Sequence, residues 1–588
     1  MNKIKEKTVT LLIAVLYILL FLIFSSSYFH DDLAFDFAGY AIRYQNAFTG
    51  WFENIYLGLP ASTYDPFLPA LLPKTFAFLG FGSFTLPLTL SIFSFFILVP
   101  LCFVLVGKEF NFSRENSLLF GLIFVLNPIT FKFLNRYYEL AAWFFFLLAF
   151  VFFYKFIKEK NFPKKYLVFS VLFACLTALS HLAPFFFLCL GTVFLIKNRL
   201  ELKKIIFFFA SVFSLMAFWF IPYFYYLPLS SSSVLQGTSL ITRGILFSTY
   251  FLVIVLLLLF FLFYSLRKKY ASNYRLILFS FLLSLLLVCF PSLPILSAPF
   301  YHSYHVFFIF VILFSLMPLL KEKPLSKKHL IVIALVILVC GFVAFEEIQR
   351  QYFFKEPRFS DSPYGFGAFG FSDFSEIDLL LKEIPANNRF EVIPYDPLIS
   401  AHATAKYDLS SLNGWGYNPY ALKKSKKIAE EMISMQLNCS EFSKGIEETF
   451  TIYWISMDST GFNYLSECGL SETAGKEPIT LFKYDKEVSF IENGELIDRS
   501  NNYIKFETGE GSVKVKESYF PRWNAYSGEE ELNVLEKDGI MELRVNEPKI
   551  IELKYESTEI DYLGVVISFI ALISLAIVLS KKNMPPHF

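Results

Sequence analysis

Residues 140–157 read LAAWFFFLLAFVFFYKFI and contain a single charged side chain, Lys155. An apolar run of this length is typical of a membrane-spanning helix. Eleven further apolar runs occur, at 8–27, 84–106, 115–131, 166–180, 182–196, 203–222, 244–266, 275–290, 306–320, 329–345 and 561–580. The sequence therefore predicts an integral membrane protein with about twelve spanning helices.

The composition excludes a single soluble domain. Of the 588 residues, 55% are hydrophobic, only 18% are charged, and 75 are phenylalanine. Soluble domains carry about 25% charged residues, and single hydrophobic cores stop growing well below this chain length. The excess apolar surface requires lipid as its surroundings.

The basic residues predict the topology. Residues 1–345 hold 27 Lys and Arg against 12 Asp and Glu, whereas residues 346–588 hold 25 against 39. Of the first 27, 22 lie at the N-terminus and in alternate turns, which the positive-inside rule assigns to the cytoplasm. This pattern predicts a multi-pass protein of the cell membrane with both termini in the cytoplasm.

Three regions follow from this topology. Residues 1–345 form a transmembrane domain of eleven spans with a large first outer loop at 28–83, residues 346–560 form an extracytoplasmic domain, and residues 561–588 hold the last span and a short tail. The extracytoplasmic domain is expected to be of the α+β type and rich in strands. Helices are predicted at 373–383 and 419–437 and strands at 389–394, 451–457, 479–485, 511–517, 531–536, 540–545 and 549–555, with a hairpin turn at 537–539.

Three local features bear on this picture. Basic residues flank 166–196 on both sides, which favours a helical hairpin that turns at Ser180-His181-Leu182 over one long helix. Cys439 and Cys468 lie in the extracytoplasmic part, where a disulfide can persist, and they are predicted to pair, with two separate thiols as the alternative. Gly365–Gly370 matches the spacing G-x-G-x-x-G, but no strand precedes it, so a nucleotide site is rejected.

The first outer loop carries a recognisable pattern. Asp32-Leu33-Ala34-Phe35-Asp36 is followed by Trp51, by Gly58-Leu59-Pro60 and by Tyr64-Asp65-Pro66, and Tyr519–Tyr526 read YFPRWNAY near the chain's end. Together these resemble the polytopic proteins named after a pterin-synthase-related membrane domain and their YfhO-like relatives. Both families are similar to GT-C glycosyltransferases, so the resemblance implies a GT-C-like bundle. Asp36 stands where the family pattern has histidine, which puts any role of that histidine in doubt.

The resemblance implies transfer of a sugar from a polyprenyl phosphate. Such a reaction needs a base for the acceptor, cations for the leaving phosphate and an apolar groove for the prenyl chain. Asp31 and Asp32, directly after the first span, are the candidate catalytic residues, with Asp36 one turn further on as a substrate-binding candidate. The alternative for Asp31 and Asp32 is helix capping at the membrane surface.

Further polar residues lie at predicted outer helix ends. Arg136 suits a phosphate and Glu139 offers a second carboxylate, whereas His181 lies at the hairpin tip. Interface anchoring or turn capping would explain these residues equally well.

Arg243 is the one cation of its predicted outer loop, and His302 and His305 stand three residues apart between tyrosines. Arg243 is a candidate for the donor phosphate. The histidine pair suits a metal ion or a phosphate, although an aromatic belt is the simpler explanation.

The function predicted from the sequence is a GT-C-type membrane glycosyltransferase. Its expected partners are the lipid bilayer, a polyprenyl-phosphate sugar donor and an envelope glycan, lipid or protein acceptor, with no nucleic acid. The cofactor is left open, since the carboxylates suit a divalent metal but define no ligand set. A transporter or flippase of lipid-linked sugars and a non-catalytic protein that binds envelope partners are the alternatives.

Overall fold

The computed structural model describes residues 51–52, 59–60, 85–109, 112–126, 137–159, 163–193, 195, 198–229, 278, 280, 282, 306–313, 375–385, 388–394, 399–400, 403, 407, 409–412, 423–500 and 502–580. Within these ranges the N-terminal part is helical apart from one small ladder. The part before the last helix is mixed α and β.

The helices of the N-terminal part coincide with the predicted apolar runs. They are α1 Thr85–Glu109, α2 Arg114–Leu126, α3 Tyr137–Lys158, α4 Lys164–Ser180, α5 Leu182–Val193, α6 Arg199–Leu215 and α7 Ala217–Tyr226, and residues 306–313 are helical as well. The predicted runs at 8–27, 244–266 and 329–345 lie outside the described residues, as does most of the run at 275–290.

Two of the described helical stretches are long and apolar enough to cross a membrane alone, Leu140–Lys158 and Glu559–Val578. A third is obtained if α6 and α7, which meet at an angle of 74°, form one bent span. The total of twelve spans and the boundaries of the three regions stay predictions.

Phenylalanine side chains fill the helical core. Trp143 and Phe146 of α3 are fully buried, and the ring of Phe146 meets that of Phe310 edge to face at 5.1 Å. Edge-to-face pairs add about 0.5–1.5 kcal/mol to the energy of apolar burial. Helices α1 and α2 approach closely where Gly121 faces Pro100, since a Cβ on Gly121 would lie 2.5 Å from the Pro100 Cα.

Ring contacts define the helix directions. Phe145 of α3 stacks on Phe173 of α4 at 6.4 Å and Phe152 lies 5.1 Å from Phe169, so α3 and α4 are antiparallel. Phe153 lies 4.6 Å from Phe208, and Lys204 at the start of α6 donates to backbone carbonyls at the end of α3. Helix α6 is therefore antiparallel to α3 as well.

The first subdomain of the predicted extracytoplasmic domain is a five-stranded sheet with helices. Its elements are α8 Ser375–Lys382, β3 Arg389–Ile393, β4 Ser410–Ser411, α9 Lys423–Ile433, α10 Cys439–Thr449, β5 Thr451–Ser456, α11 Ser459–Glu467, β6 Ser471–Lys476 and β7 Ile479–Lys483. The strand order is β4-β3-β5-β7-β6, with β3, β4 and β5 parallel. Strands β1 Trp51–Phe52 and β2 Leu59–Pro60 form a separate two-stranded ladder in the first outer loop.

The second subdomain is a sandwich of two antiparallel sheets. Its strands are β8 Ile491–Glu492, β9 Gly494–Ser500, β10 Tyr503–Thr508, β11 Gly511–Ser518, β12 Trp523–Ser527, β13 Glu530–Leu532, β14 Leu535–Lys537, β15 Ile540–Val545 and β16 Lys549–Tyr555. They form the sheets β13-β12-β16-β10-β9 and β14-β15-β11-β8. The last helix, α12 Glu559–Ser580, follows directly.

The prediction of one continuous strand at 531–536 was wrong, because two short strands, β13 and β14, lie there. The chain changes sheets there, because β13 pairs with β12 in the five-stranded sheet and β14 pairs with β15 in the other. The hairpin turn at 537–539 is confirmed, since Asp538 and Gly539 have φ values of 52° and 90° and join β14 to β15.

The predicted disulfide is present. Cys439, at the start of α10, is bonded to Cys468, at the end of α11, and their Cα atoms are 4.8 Å apart. The bond ties together the two helices that precede and follow β5 in the sequence.

Candidate functional site

Most of the predicted site residues lie outside the described part of the chain. This group comprises Asp31, Asp32, Asp36, Arg136, Arg243, His302 and His305. Glu139 is described only as part of the α3 backbone, and His181 is described fully. The roles of all nine residues therefore stay predictions, but the structure shows where the helices that carry two of them meet.

His181 stands at a break between two helices, as predicted. Helix α4 ends at Ser180, α5 begins at Leu182, and His181 has the extended backbone angles φ −165° and ψ 134°. Its N–H donates to the Thr177 carbonyl at 2.9 Å and completes the last turn of α4. The side chain is half-buried. The position of the break is thus confirmed.

The α3–α4 register brings Glu139 and His181 to the same end of the bundle. From the Phe145–Phe173 contact, Glu139 lies six residues back along α3 and His181 lies eight residues on along α4. At about 1.5 Å per residue, these distances are roughly 9 Å and 12 Å in the same direction. Two residues that the sequence assigned to one outer site therefore occupy neighbouring helix ends.

That end of the bundle is the one that carries the extracytoplasmic domain. Helix α6 runs from Lys204, beside the end of α3, towards α7, whose last residue, Tyr226, packs against Phe520 of the sandwich with ring centroids 4.8 Å apart. The lysine-rich helix ends lie opposite, where Lys155 pairs with Glu109 at 3.0 Å. The lysine-rich end and the end that carries this domain are therefore opposite, and which of them faces the cytoplasm stays a prediction.

The helical segment at 306–313 enters the same bundle. Phe307 stacks on Phe187 of α5 at 4.7 Å, and Phe310 contacts Phe146 and Phe150 of α3. Val306 directly follows the predicted His302 and His305 pair in the sequence. The helix next to that pair therefore packs against both α3 and α5.

Two pieces of the first-loop pattern are paired. Strand β1 holds Trp51 and strand β2 holds Pro60, and the two residues are register partners in an antiparallel ladder. Trp51 and Pro60, one from the Trp element and one from the G-x-P element of the pattern, are thus paired in one ladder.

A buried ionic cluster joins the sandwich to the last helix. Arg522 donates through Nε to Asp561 Oδ2 at 3.0 Å and through Nη2 to Oδ1 of the same carboxylate. The guanidinium also lies over the Tyr226 ring at 5.2 Å and over the Tyr555 ring at 5.8 Å. The sequence singled out the stretch Tyr519–Tyr526 only as a resemblance and did not reveal this contact.

The charges in this cluster support one another. Burial lowers the pKa of Arg522, but Tyr555 and Asp561 raise it by more, so the guanidinium remains charged. Burial also raises the pKa of Tyr555, which keeps its hydroxyl neutral. Asp561 Oδ2 accepts from the Thr558 N–H at 2.8 Å and fixes the first turn of α12.

Among the described residues, no group of three or more His, Cys, Asp and Glu side chains is arranged to hold a metal ion. The carboxylates proposed as metal ligands from the sequence, Asp31 and Asp32, are not among those residues. The divalent metal therefore stays a prediction.

Comparison with known proteins finds a similar fold among solved structures. No protein-family model matches the chain, and no curated protein matches it. The cryo-EM structure of the arabinofuranosyltransferase AftD from Mycobacteria is similar, with a TM-score of 0.50, 11% identity and coverage of 94% of this chain and 57% of that chain. A mutant of AftD gives a TM-score of 0.47 at 11% identity, with coverage of 90% and 57%.

The likeness establishes a GT-C-like fold, that of a polytopic membrane protein with an extracytoplasmic domain. The predicted fold class is confirmed in this coarse form. The chain spans 57% of the AftD chain, less than two thirds of it. The resemblance to pterin-synthase-related and YfhO-like proteins stays a prediction.

Proposed function

We propose that this chain is a GT-C-type membrane glycosyltransferase that moves a sugar from a polyprenyl-phosphate donor to an extracytoplasmic acceptor. The observation that carries the proposal is the fold likeness to AftD, which extends over 94% of the chain. AftD is by its name an arabinofuranosyltransferase, and the sugar of the present chain is left open. The acceptor is an envelope glycan, lipid or protein.

The proposed reaction inverts the sugar carbon. Asp32 takes the proton of the acceptor hydroxyl, whose oxygen attacks the anomeric carbon while the bond from that carbon to the phosphate oxygen breaks. The polyprenyl phosphate leaves with the bonding electrons, and Arg136 and Arg243 stabilise its charge. Asp31 is proposed as a further catalytic residue, either as a base or as a ligand of a divalent metal. Asp36, Glu139, His181, His302 and His305 are proposed to bind substrate.

Two features of the described helices support an outer site. The backbone of Glu139 and the helix break at His181 lie at the end of the bundle that carries the extracytoplasmic domain. A helix break at membrane depth is tolerated where it is buried in protein or lines a cavity. Ser180 and Ala183, which flank the break, are buried in protein. These positions suit a site that opens towards the extracytoplasmic side.

The bend between α6 and α7 also suits a transporter, because broken helices commonly form transport sites. The two functions differ in their products. A glycosyltransferase releases a polyprenyl phosphate and forms a new glycosidic bond, whereas a flippase leaves the lipid-linked sugar intact. Chromatography of lipid-linked sugars after incubation with the purified protein separates these outcomes.

Asp32→Asn tests the proposed base. The amide keeps the size and the helix-capping ability of the carboxylate but cannot accept a proton, so we expect sugar transfer to fall by about 10²-fold or more. Transfer is measured with radiolabelled donor and membranes that contain equal amounts of protein. Asp538→Asn, in an exposed turn, is the matched control and should leave transfer unchanged. Full activity of Asp32→Asn would show that Asp32 is a cap.

A further inference from the structure

The last helix supplies hydrogen bonds that the break between α6 and α7 requires. Met216 separates the two helices, which differ in direction by 74°. A break in a helix frees backbone groups, and in an apolar environment each such group needs a partner. The Phe218 N–H donates to Ser568 Oγ of α12 at 2.8 Å, and Ser568 Oγ donates to the Ser214 carbonyl at 3.2 Å. One hydroxyl therefore bridges both sides of the break.

Close backbone contact accompanies these bonds. Gly564 of α12 faces Ala217 and Phe218, and a Cβ at this position would lie 2.7 Å from the Ala217 carbonyl oxygen. Asp561 and Gly564 are buried and Ser568 is half-buried, and these three residues share one helix face at the spacing i, i+3, i+7. Phe569 and Ile570, on other faces, are 62% and 58% exposed. One face of α12 therefore packs closely against α7, and its other faces are exposed.

The extracytoplasmic domain holds the other end of the same contact. Arg522 binds Asp561 and stacks on Tyr226, and Thr558 Oγ1 lies 2.7 Å from the Tyr226 hydroxyl. Phe520 covers the Tyr226 ring. The start of α7 is thus fixed by Ser568 of α12. Its end, at Tyr226, is fixed by residues of the sandwich and by Thr558, just before α12.

Helix α7 in turn contacts the helix that follows His181. Phe220 of α7 lies 5.9 Å from Phe185, which stands four residues after His181 in the first turn of α5. Phe213 of α6 also meets Phe185, at 6.1 Å. Helix α7 therefore packs against the first turn of α5, directly after the helix break at His181.

We propose that α12 is a positioning element of the outer site as well as a membrane anchor. The positioning residues are Ser568 of α12 and Arg522 of the sandwich, which binds Asp561 of α12. They hold α7, and with it the α4–α5 break at His181, in one geometry. The effect of α12 on sugar transfer rests on the proposed function. The contacts that fix the position of α7 do not depend on that function.

Ser568→Ala tests the hold on α7, and Ser574→Ala on the exposed side of the same helix is the matched control. Ser574 Oγ bonds only within α12, to the Ile570 carbonyl at 2.8 Å. Hydrogen–deuterium exchange of the full chain in lipid nanodiscs, read on peptides from α7, reports the Phe218 amide. We expect exchange about fivefold faster in Ser568→Ala, as loss of one net hydrogen bond implies, and unchanged exchange in Ser574→Ala.

Arg522→Lys tests the outer end of α7. Lysine keeps the positive charge but loses the bidentate hydrogen bond to the Asp561 carboxylate and the stacking of the guanidinium on the Tyr226 ring. Faster exchange is expected at the Tyr226 end of α7, with unchanged amounts of protein in the membrane.

Sugar transfer is measured on the same preparations. We expect it to fall by about tenfold or more in Ser568→Ala, because a small displacement of a positioned group is costly for a reaction. Wild-type exchange in both Ser568→Ala and Arg522→Lys would overturn the proposal. Faster exchange with wild-type transfer would overturn the positioning role and leave a purely structural contact. Faster exchange together with no transfer by the wild type would refute the proposed function and support the hold on α7.

Discussion

Glu517→Gln should strongly destabilise the extracytoplasmic domain. Glu517 Oε2 of β11 accepts from Arg389 Nη2 of β3 at 2.8 Å and from Arg499 Nη2 of β9 at 3.0 Å. All three side chains are at most 2% exposed. The carboxylate is thus a shared counterion of two buried guanidinium groups and links the α/β subdomain to the sandwich.

The magnitude follows from these contacts. Glutamine leaves both guanidinium groups charged, because arginine does not release its proton in proteins. Breaking a buried ion pair by removing one partner costs about 3–5 kcal/mol. With a urea dependence of about 1–3 kcal/mol per molar, the unfolding midpoint should fall by about 2 M.

Urea-dependent pulse proteolysis of the full chain in membranes measures this midpoint, with the extracytoplasmic domain as the substrate of the protease. Glu448→Gln is the matched control, since Glu448 pairs with Lys444 at 3.5 Å on an exposed face of α10. That change should cost less than about 0.5 kcal/mol. Equal midpoints for the two variants would refute the reasoning.

Three further predictions concern the same domain. Replacing Cys439 and Cys468 by serine opens a link between residues 29 apart and should cost about 3–4 kcal/mol, which pulse proteolysis with and without reductant can measure. Hydrogen bonds from Lys505 and Lys554 lower the pKa of Glu552 to about 2. The stabilisation from Glu552 is therefore complete above about pH 4.3 and is lost as the pH falls towards 2, so Glu552→Gln should lose less stability than the wild type between pH 6 and 3. A cysteine introduced at Ser360 should react with a membrane-impermeant reagent added outside the cell, and a cysteine introduced at Ser326 should not. The reverse labelling would show that the predicted topology is wrong.

The helical elements were predictable because each is set by local composition. A run such as Leu140–Ile157 has to be helical in lipid, where all backbone groups need internal partners. The break at His181 was also predictable, since basic flanks on both sides of 166–196 require an even number of crossings. Sequence alone could not reveal the bend at Met216, because its stability comes from Ser568, far away in the chain.

Several extracytoplasmic elements were missed for a physical reason. In β10 the buried residues Ile504, Phe506 and Thr508 alternate with Lys505 and Glu507, but only two of the three buried residues are apolar, so the strand pattern is short and weak. Helix α10 is similarly polar over most of its surface and packs by Phe442 and Ile446. Such short elements are fixed by their neighbours rather than by their own sequence.

The candidate site was predictable only in part. Glu139 and His181 were assigned to one outer site, and the helix register places the two helix ends that carry them side by side, while their roles stay predictions. The Arg522–Asp561 pair was not found, because its two members lie in different elements and each is an ordinary residue at its own position. The clue was the aromatic stretch Tyr519–Tyr526, whose Phe520 and Trp523 turned out to be buried.

The bond between Phe218 and Ser568 has a consequence for biosynthesis. The two residues are 350 positions apart, so a chain made from its N-terminus inserts α6 and α7 long before α12 exists. The bend acquires its partner only after the whole domain that precedes α12 has been made and α12 has packed against α7. Completion of the outer end of the bundle is therefore the last step of assembly, and a chain that stops before α12 cannot reach it.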